Sequence, residues 1–219
     1  MSSETEYDIP FFDLVGNMRA MRRLKPDPVP PDLLRKVLTA GTQAPSGMNS
    51  QPWKFLVLRD TDAKQWFGEK YKAAVLERFG NFLPADEDKS PMAKLGRSLL
   101  YQCDHMHEFP VLVVVCGLRD WPFRVAEEER VGLAPPNYGA IYPCVQNILL
   151  ACRAVGLGAA LTTMHQVFEE EMCARFEIPD EYGVVVTIPI GYPLGNFGPV
   201  TRKPLDEVTY FDRWGAAGS

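Results

Sequence analysis

The sequence has no excess of positive charge and no long apolar run. Its 23 Lys and Arg residues are outnumbered by 28 Asp and Glu residues, which gives a formal net charge of −5. Binding to nucleic acid through phosphates needs clustered positive charge. The longest apolar stretches, at 111–116 and, with interruptions, at 148–163, are shorter than the roughly 18 to 20 residues of a membrane-spanning helix. We therefore expect neither a nucleic-acid partner nor a membrane partner.

The cysteine pattern argues against disulfides and against a nucleophilic thiol. The five cysteines are odd in number, include no C-x-x-C pair and lie mostly in apolar contexts, which is typical of reduced, buried thiols. The first ten residues, MSSETEYDIP, are polar and acidic rather than basic and then apolar, so they do not resemble a secretory signal. Both features predict a cytoplasmic protein.

Several signatures of catalysis are also missing. The sequence contains neither G-x-x-x-x-G-K-[ST] nor G-x-S-x-G. Gly156-Leu157-Gly158 begins like a dinucleotide fingerprint, but Leu161 takes the place of the last glycine, and the segment follows a predicted helix instead of a strand. His105 and His107 are two residues apart on a predicted helix, so they point in different directions and predict no metal site.

The overall composition is that of an ordinary folded protein, and we expect one domain covering residues 1–219. Apolar residues make up 46% of the chain and charged residues 23%. Because helical and strand patterns mix without a regular strand–helix alternation, the fold class is predicted to be α+β. The predicted helices cover about 11–21, 32–43, 61–79, 94–107, 139–155 and 167–176, and the predicted strands 54–58, 111–116, 158–163 and 183–190.

Two loops and the C-terminal tail are predicted to have special roles. Residues 80–93 and 119–138 are rich in proline, glycine and charge, and we expect a lid within about 80–138, since long loops in a compact domain are often functional. Aromatic residues in this region could stack on an aromatic acceptor or pack in a dimer interface; they are Phe82, Trp121, Phe123 and Tyr138. The tail at 205–219 has aromatics but little periodicity, so we expect it to clasp another surface.

Three polar segments stand out in this otherwise ordinary composition. Two are basic, at 19–23 and 201–205, and the third is the loop A-P-S-G-M-N-S-Q-P-W at 44–53. Guanidinium groups bind phosphate with two parallel hydrogen bonds, and hydroxyl and amide side chains donate to ring and sugar oxygens. Taken alone, each basic cluster is better explained as solvated surface charge. Together, the three segments supply the groups that flavin mononucleotide (FMN) needs.

These segments, with the Gly156-to-Thr163 stretch, resemble the nitroreductase-like FMN flavoproteins in identity and in order. The similarity extends over about residues 11–211. It implies an α+β fold with a central, mostly antiparallel mixed sheet flanked by helices. It also implies a homodimer with FMN at the subunit interface and a C-terminal arm wrapping the partner.

The resemblance implies roles for individual residues at the FMN. Arg19 would reach the phosphate or ribityl chain, Ala20 would contribute its backbone, and Arg22 would lie against flavin N1 and the C2 carbonyl. A fixed cation at that position stabilises the negative charge of reduced flavin. The other cofactor-binding residues implied are Ser46, Asn49, Leu161, Thr162, Thr163 and Arg202, with Lys203 as a weaker candidate.

Positions at which the sequence differs from the family pattern indicate which branches of the family it resembles less. Ala20 stands where the family usually has serine, and the flavin-destroying branch has aspartate there, so that branch is disfavoured. The halotyrosine dehalogenase branch holds its substrate with a Glu, a Tyr and a Lys. Glu69, Lys70 and Tyr71 offer these residue types, but three consecutive residues on a helix face different ways.

The sequence therefore predicts an FMN-dependent oxidoreductase with NADH or NADPH as co-substrate. It would pass hydride to an electron-poor acceptor, such as a nitroaromatic or quinone, in a ping-pong mechanism with no assigned catalytic side chain. Alternatives are a dehalogenase-like flavoprotein that uses one-electron steps, favoured by a hydroxyl of Thr163 or Thr162 near flavin N5, and a non-catalytic flavin or deazaflavin binding protein. A further alternative is a dimeric structural protein without cofactor.

Overall fold

The computed structural model describes residues 9–80, 88–119 and 138–216. The predicted lid residues Phe82, Trp121 and Phe123, and the side chain of Tyr138, lie outside the described residues. In chain order the helices and strands are α1 (Phe11–Asn17), α2 (Pro31–Thr42), β1 (Trp53–Leu58), α3 (Thr61–Phe79), α4 (Pro91–His105), β2 (Val111–Leu118), α5 (Tyr138–Ala154), β3 (Gly158–Ala159), α6 (Glu169–Arg175) and β4 (Tyr182–Gly191).

The four described strands form one sheet in the order β1-β2-β4-β3, and every pairing is antiparallel. The α+β class with a central antiparallel sheet is confirmed. The predicted strand at 158–163 is shorter than expected: after Ala159 the pairing with β4 resumes only at Thr162, which bridges Thr187. β3 is thus an edge strand with an irregular continuation.

Helices cover both faces of the sheet. Strand side chains alternate between the two faces, and in β2 both sets are apolar and need to be buried. Along β2, Val111, Val113 and Val115 belong to the apolar cluster that includes α2 and α5. The intervening residues Leu112 and Val114 belong to a second cluster with α3 and α4. β2 is therefore buried on both sides, and the functional groups must lie at the sheet edges or in the connections.

The Gly156-to-Gly158 segment ends a helix and has no phosphate-binding geometry. Gly156 has a φ of 77°, its N–H donates to the Arg153 carbonyl, and the Leu157 N–H donates to the Cys152 carbonyl at 2.8 Å. This is the Schellman arrangement, in which a glycine takes the left-handed conformation just past the helix end. The expectation that this is not a dinucleotide fingerprint agrees with that geometry.

The predicted helix at 11–21 ends earlier, at Asn17, because the following backbone is needed at the sheet edge. Met18 has extended angles (φ −75°, ψ 111°), and the Met21 N–H donates to the Ala159 carbonyl at 2.9 Å. Next to that bond, a β-carbon on Gly158 would lie 2.8 Å from Leu24 Cδ2 and 2.9 Å from Met21 Cβ. The segment at 21–24 can therefore approach β3 only because residue 158 has no side chain.

No helix in the described ranges has the length and apolarity that crossing a lipid bilayer requires.

We predict that Gly158→Ala lowers the free energy of unfolding by about 1–3 kcal/mol, the usual cost of overpacking. The control is Gly139→Ala in α5, where an added β-carbon meets nothing within 4 Å. That control should be neutral or stabilising by up to about 1 kcal/mol. Denaturant unfolding of both variants checks this, and equal stabilities of the two would show that the approach of the 21–24 segment to β3 is not tight.

Candidate functional site

The continuation of β3 presents unbonded backbone at the edge of the sheet. Thr162 exchanges two hydrogen bonds with Thr187 of β4, at 2.8 and 3.0 Å. Because successive residues of a strand point their N–H groups to opposite sides, those of Leu161 and Thr163 face away from β4. Neither of these amides is bonded to any other described residue. Two of the predicted site residues therefore offer free backbone donors.

The basic segment at 19–23 runs beside this edge. Beyond the Met21–Ala159 bond, Leu24 bridges Pro193, and the Lys25 N–H donates to the Tyr192 carbonyl at 2.8 Å. The structure thus places the first basic cluster against β3 at Ala159, two residues before the 161–163 segment.

Arg22 is half-buried, and none of the described residues offers an acceptor for its charge. Within the described residues it makes neither an ion pair nor a hydrogen bond. Desolvation lowers the pKa of its guanidinium, and the nearby Tyr71 opposes that shift. Because taking a charged group out of water without a partner is unfavourable, this guanidinium is poised for an anionic or electron-rich ligand.

The second basic cluster lies near the first. The Val200 N–H donates to the Gly16 carbonyl at 3.0 Å, and Arg19 Nη1 lies 3.8 Å from the position of a β-carbon on Gly198. Arg202 is exposed and donates only to the neighbouring Thr201 carbonyl, at 2.8 Å. Arg19 and Ala20 are also exposed. The C-terminal segment therefore returns to the start of the site, and neither Arg19 nor Arg202 forms an ion pair with any of the described residues.

The loop between α2 and β1 has an unusual, strained backbone. Met48, Asn49 and Gln51 all have positive φ, between 49° and 52°, and the Ser46 hydroxyl accepts from the Gln51 N–H at 3.0 Å. Non-glycine residues seldom adopt this conformation, and such strained turns cluster at functional sites. Asn49 is exposed, and Ser46 is half-buried.

This loop is not near Arg22 in one chain. It enters β1 at one edge of the sheet, whereas Arg22 lies beyond β3 at the other edge. Three strand spacings of about 4.8 Å separate them by at least about 14 Å. Ser46 and Asn49 are therefore the predicted site residues that a single chain does not bring to the others.

A buried polar network lies beneath the 161–163 edge. Tyr71 of α3 is 1% exposed, and its hydroxyl lies 3.2 Å from Oε1 of the equally buried Gln102. Burial raises the pKa of Tyr71 well above its ordinary value, while hydrogen bonding to the Thr162 hydroxyl and the charge of Arg22 oppose the shift. The Thr162 hydroxyl also accepts from the Met164 N–H at 3.3 Å.

The two threonines of the edge consequently differ. The Thr162 side chain is 8% exposed and bonded inside the protein, whereas the half-buried Thr163 hydroxyl is bonded to no other described residue. Sequence reasoning did not find Gln102. Its signal is a lone amide within the otherwise apolar run Leu99-Leu100-Tyr101-Gln102-Cys103.

Glu69, Lys70 and Tyr71 face three different ways, as their helical spacing predicts. Glu69 accepts from Gln65, Lys70 forms an ion pair with Glu171, and Tyr71 points into the core. In the described structure these residues do not form a clamp for one zwitterion.

The histidines serve structural roles. His165 is fully buried, with Nε2 2.8 Å from the Val184 carbonyl, and desolvation lowers its pKa. His105 stacks on Tyr101 at 4.1 Å and lies 3.0 Å from Glu108. Among the described residues, no group of three His, Cys, Asp or Glu side chains could hold a metal ion.

The cysteines are unsuited to nucleophilic chemistry. Burial raises the pKa of Cys103 to about 11 and the pKa values of Cys116 and Cys144 to about 12. All five cysteines are free thiols. The prediction of reduced, unreactive cysteines agrees with these environments, because the thiolate is the nucleophilic form.

The chain is similar to curated proteins of two kinds. It is 28% identical over 201 residues to a NADH dehydrogenase of Thermus thermophilus, covering 87% of this chain and 90% of that protein. It is also 28% identical over 200 residues to an iodotyrosine deiodinase of Thermotoga neapolitana, covering 90% of this chain and 94% of that protein.

The fold is similar to that of solved structures. An oxidised iodotyrosine deiodinase bound to FMN and 3-iodo-L-tyrosine superposes with a TM-score of 0.68 at 22% identity, covering 94% of this chain and 98% of that one. A family model described as the Nitroreductase family matches residues 17–192. Because this match extends over most of the sequence, the chain belongs to the Nitroreductase family.

Proposed function

We propose that this protein is an FMN-dependent oxidoreductase that takes hydride from NADH or NADPH and reduces an electron-poor aromatic acceptor. The observation that carries the proposal is the half-buried Arg22, which has no partner among the described residues and follows Met21, the residue that bonds to β3 at Ala159, two residues before the Leu161–Thr163 segment with its free backbone amides. A fixed cation and N–H donors along one edge match the N1/C2 and N5 positions of an isoalloxazine ring. Relatives named as a NADH dehydrogenase and as an FMN-bound deiodinase support the same conclusion.

The charges of the residues present fit FMN, which supports the proposal. Arg19 and Arg202 belong to segments that lie side by side, and both guanidinium groups are exposed and available to a phosphate. Guanidinium forks bind phosphate oxygens in pairs. The Ala20 side chain offers no hydrogen bond, so position 20 contributes only its backbone.

The residues act on the cofactor by binding and electrostatics. FMN, when bound, accepts hydride from the nicotinamide and passes reducing equivalents to the acceptor. Arg22 places its positive charge where negative charge develops, and the surrounding protein keeps that charge partly desolvated and therefore strong. No described histidine or cysteine is placed to act as an acid, base or nucleophile, consistent with hydride chemistry that depends on the cofactor.

We propose that the complete site is shared between two copies of the chain. Ser46 and Asn49 lie at the opposite sheet edge from Arg22, so a two-fold dimer would supply them from the partner. In such a symmetric interface each contact occurs twice. The tail supports this arrangement, since its apolar side chains are exposed: Leu205, Val208, Phe211 and Trp214 range from 54% to 89%.

A second candidate is a dehalogenase-like flavoprotein that uses one-electron steps. The free hydroxyl of Thr163 favours it, because a hydroxyl at flavin N5 is the group expected to support single-electron transfer. Relatives named iodotyrosine deiodinase point the same way. If Thr163 presents its backbone N–H instead, two-electron transfer is favoured.

We predict that the purified protein has a flavin absorbance spectrum that bleaches on anaerobic addition of NADH or NADPH. A stepwise reductive titration, followed by absorbance, distinguishes one-electron from two-electron reduction and so separates the two candidates. Flavin that does not bleach with either nicotinamide would contradict the proposed donor. No flavin, even after addition of FMN, would contradict the cofactor itself.

We predict that Arg22→Ala weakens FMN binding by about ten- to a hundredfold, because a hydrogen bond to a charged group contributes about 1.5–3 kcal/mol. The control is Arg78→Ala, an exposed position at the end of α3. Fluorescence titration of the FMN-free proteins measures both affinities. Equal affinity of the Arg22 variant and wild type would rule out its role at the flavin.

We predict complementation between two site-deficient chains if the site is shared. Arg22→Ala and Asn49→Ala homodimers should each bind FMN weakly at both sites. A heterodimer of the two has one site with both changes and one site with neither. Co-expression with two affinity tags should therefore recover about one tight site per two chains. Recovery of no tight site would place Arg22 and Asn49 in the same protomer's site or exclude one of them.

A further inference from the structure

We infer that Arg153, at the end of α5, is a positioning residue that holds the ring of Phe197 and thereby fixes the segment at 194–200 beside the site. The inference rests on the proposed function, because Arg19 and Arg202 are the groups proposed to bind the FMN phosphate. It deepens that function by naming a residue that touches no part of the ligand and acts on phosphate binding through a ring.

The 194–200 segment runs along the 16–23 backbone and is bonded to it at both ends. The Leu194 N–H donates to the Arg23 carbonyl at 2.9 Å, and the Val200 N–H donates to the Gly16 carbonyl at 3.0 Å. Between these bonds, the residues at 195–199 form no hydrogen bond with any other described residue. Hydrogen bonds therefore fix the ends of the segment and leave its middle to be held in another way.

The ring of Phe197 is the contact that holds the middle of the segment. Phe197 lies halfway between the two bonded amides, and the Cζ atom of Arg153 lies over its ring, 4.2 Å from the centroid. A guanidinium within about 6 Å of a ring centroid is attracted by the electrons of the ring face. The ring also packs against the apolar cluster that contains Met21 and Leu24. Phe197 is thus held between a cation and the core.

The guanidinium of Arg153 has no competing partner in the part of the chain that the structure describes. Its side chain forms neither an ion pair nor a hydrogen bond with those residues, and its Nε atom is buried. It belongs to the last turn of α5, where a positive charge is favoured by the helix dipole. Because a cation attracts a ring more strongly when it is partly desolvated, this contact is stronger than one at an exposed surface.

The ring contact is linked to the proposed phosphate site through the backbone. Phe197 precedes Gly198, and Arg19 Nη1 lies 3.8 Å from the position of a β-carbon on that glycine. Arg202 follows two residues after the bonded amide of Val200. A shift of the ring would therefore move the backbone against which one guanidinium rests and from which the other extends. Paired hydrogen bonds to phosphate require both guanidinium groups to be held in place.

The first experiment compares Arg153→Met, which removes the cation and keeps a long side chain, with Arg175→Met. Arg175 is exposed in the last turn of α6, so the control loses the same charge at the same kind of helix end. Hydrogen exchange of the FMN-free proteins is followed by mass spectrometry. We expect faster exchange for Arg153→Met alone, in peptides that contain the bonded amides of Leu194 and Val200, with β2 and β4 unchanged.

The second experiment measures the affinities of the same proteins for FMN and for riboflavin, which lacks the phosphate. We expect Arg153→Met to weaken FMN binding by about three- to tenfold, the range of a partly desolvated cation–ring contact, and to leave riboflavin binding unchanged. Arg153→Lys keeps a cation over the ring and should recover part of the loss. Phe197→Leu should have the same effect as Arg153→Met, and the two changes together should add little to either, because each removes the same contact.

The control for the loss of an aromatic ring is Phe176→Leu. Phe176 is also half-buried and packs against the same apolar cluster, where its partner is Trp66 with ring centroids 5.4 Å apart. This change removes a ring of the same kind without removing a cation contact. We expect it to leave the ratio of the FMN and riboflavin affinities as it is in wild type.

Results that contradict the positioning role differ from those that contradict the proposed function. If wild type binds FMN and Arg153→Met changes neither exchange nor FMN affinity, the positioning role is wrong. If Arg153→Met weakens FMN binding as much in a Phe197→Leu background, Arg153 contacts the phosphate directly and the positioning role is wrong as well. Faster exchange throughout the protein, or an equal loss of riboflavin affinity, would make Arg153 a general structural residue and would also overturn it.

Wild type that binds no FMN contradicts the proposed function and, with it, the effect on phosphate binding. The exchange experiment uses FMN-free protein, so it still shows whether Arg153 holds the 194–200 segment. If Arg153→Met does not fold, Phe197→Leu has the same expected results in both experiments.

Discussion

The contact between the 21–24 backbone and β3 is the constraint on which the site depends. β3 has only two residues, and its outer edge is closed by the Met21–Ala159 hydrogen bond at a position where Gly158 leaves no room for a β-carbon. Arg22 follows Met21 directly and is thereby held near β3, and farther along that strand the amides of Leu161 and Thr163 bond to no other described residue. A backbone contact thus fixes the position of the Arg22 segment relative to β3 and its continuation.

In a chain with more acidic than basic residues, it is unusual that Arg22 has no ion-pair partner within the part of the chain that the structure describes. Elsewhere, carboxylates bind cations and backbone amides. Glu169 accepts a hydrogen bond from the Val184 N–H of β4 and forms an ion pair with Arg119. Glu171 forms an ion pair with Lys70. Functional sites commonly retain unfavourable local arrangements that the surrounding fold must stabilise. A guanidinium without a carboxylate partner keeps its full charge for a ligand, and an ion pair would not allow this.

The sequence predicts long periodic elements and motif order well, and contacts between distant elements poorly. The α+β class and nearly all helices and strands follow from periodicity, and the proximity of the 19–23 and 161–163 segments follows from family resemblance. The end of α1 at Asn17 was not predictable, because the Met21–Ala159 bond that extends the chain there joins residues 138 positions apart. The role of Gln102 was not predictable for the same reason, because its hydrogen-bond partner Tyr71 lies on another helix.

The opposite placement of Arg22 and Asn49 has a thermodynamic consequence on the proposed arrangement. If each site takes Arg22 from one chain and Asn49 from the other, a ligand that contacts both binds only the dimer. Such a ligand stabilises the dimer by mass action, and dimer formation in turn raises the ligand's apparent affinity by the same coupling free energy. Cofactor binding and assembly then become one equilibrium. The exposed tail aromatics, having no core of their own to join, are the apolar surface that this equilibrium would bury.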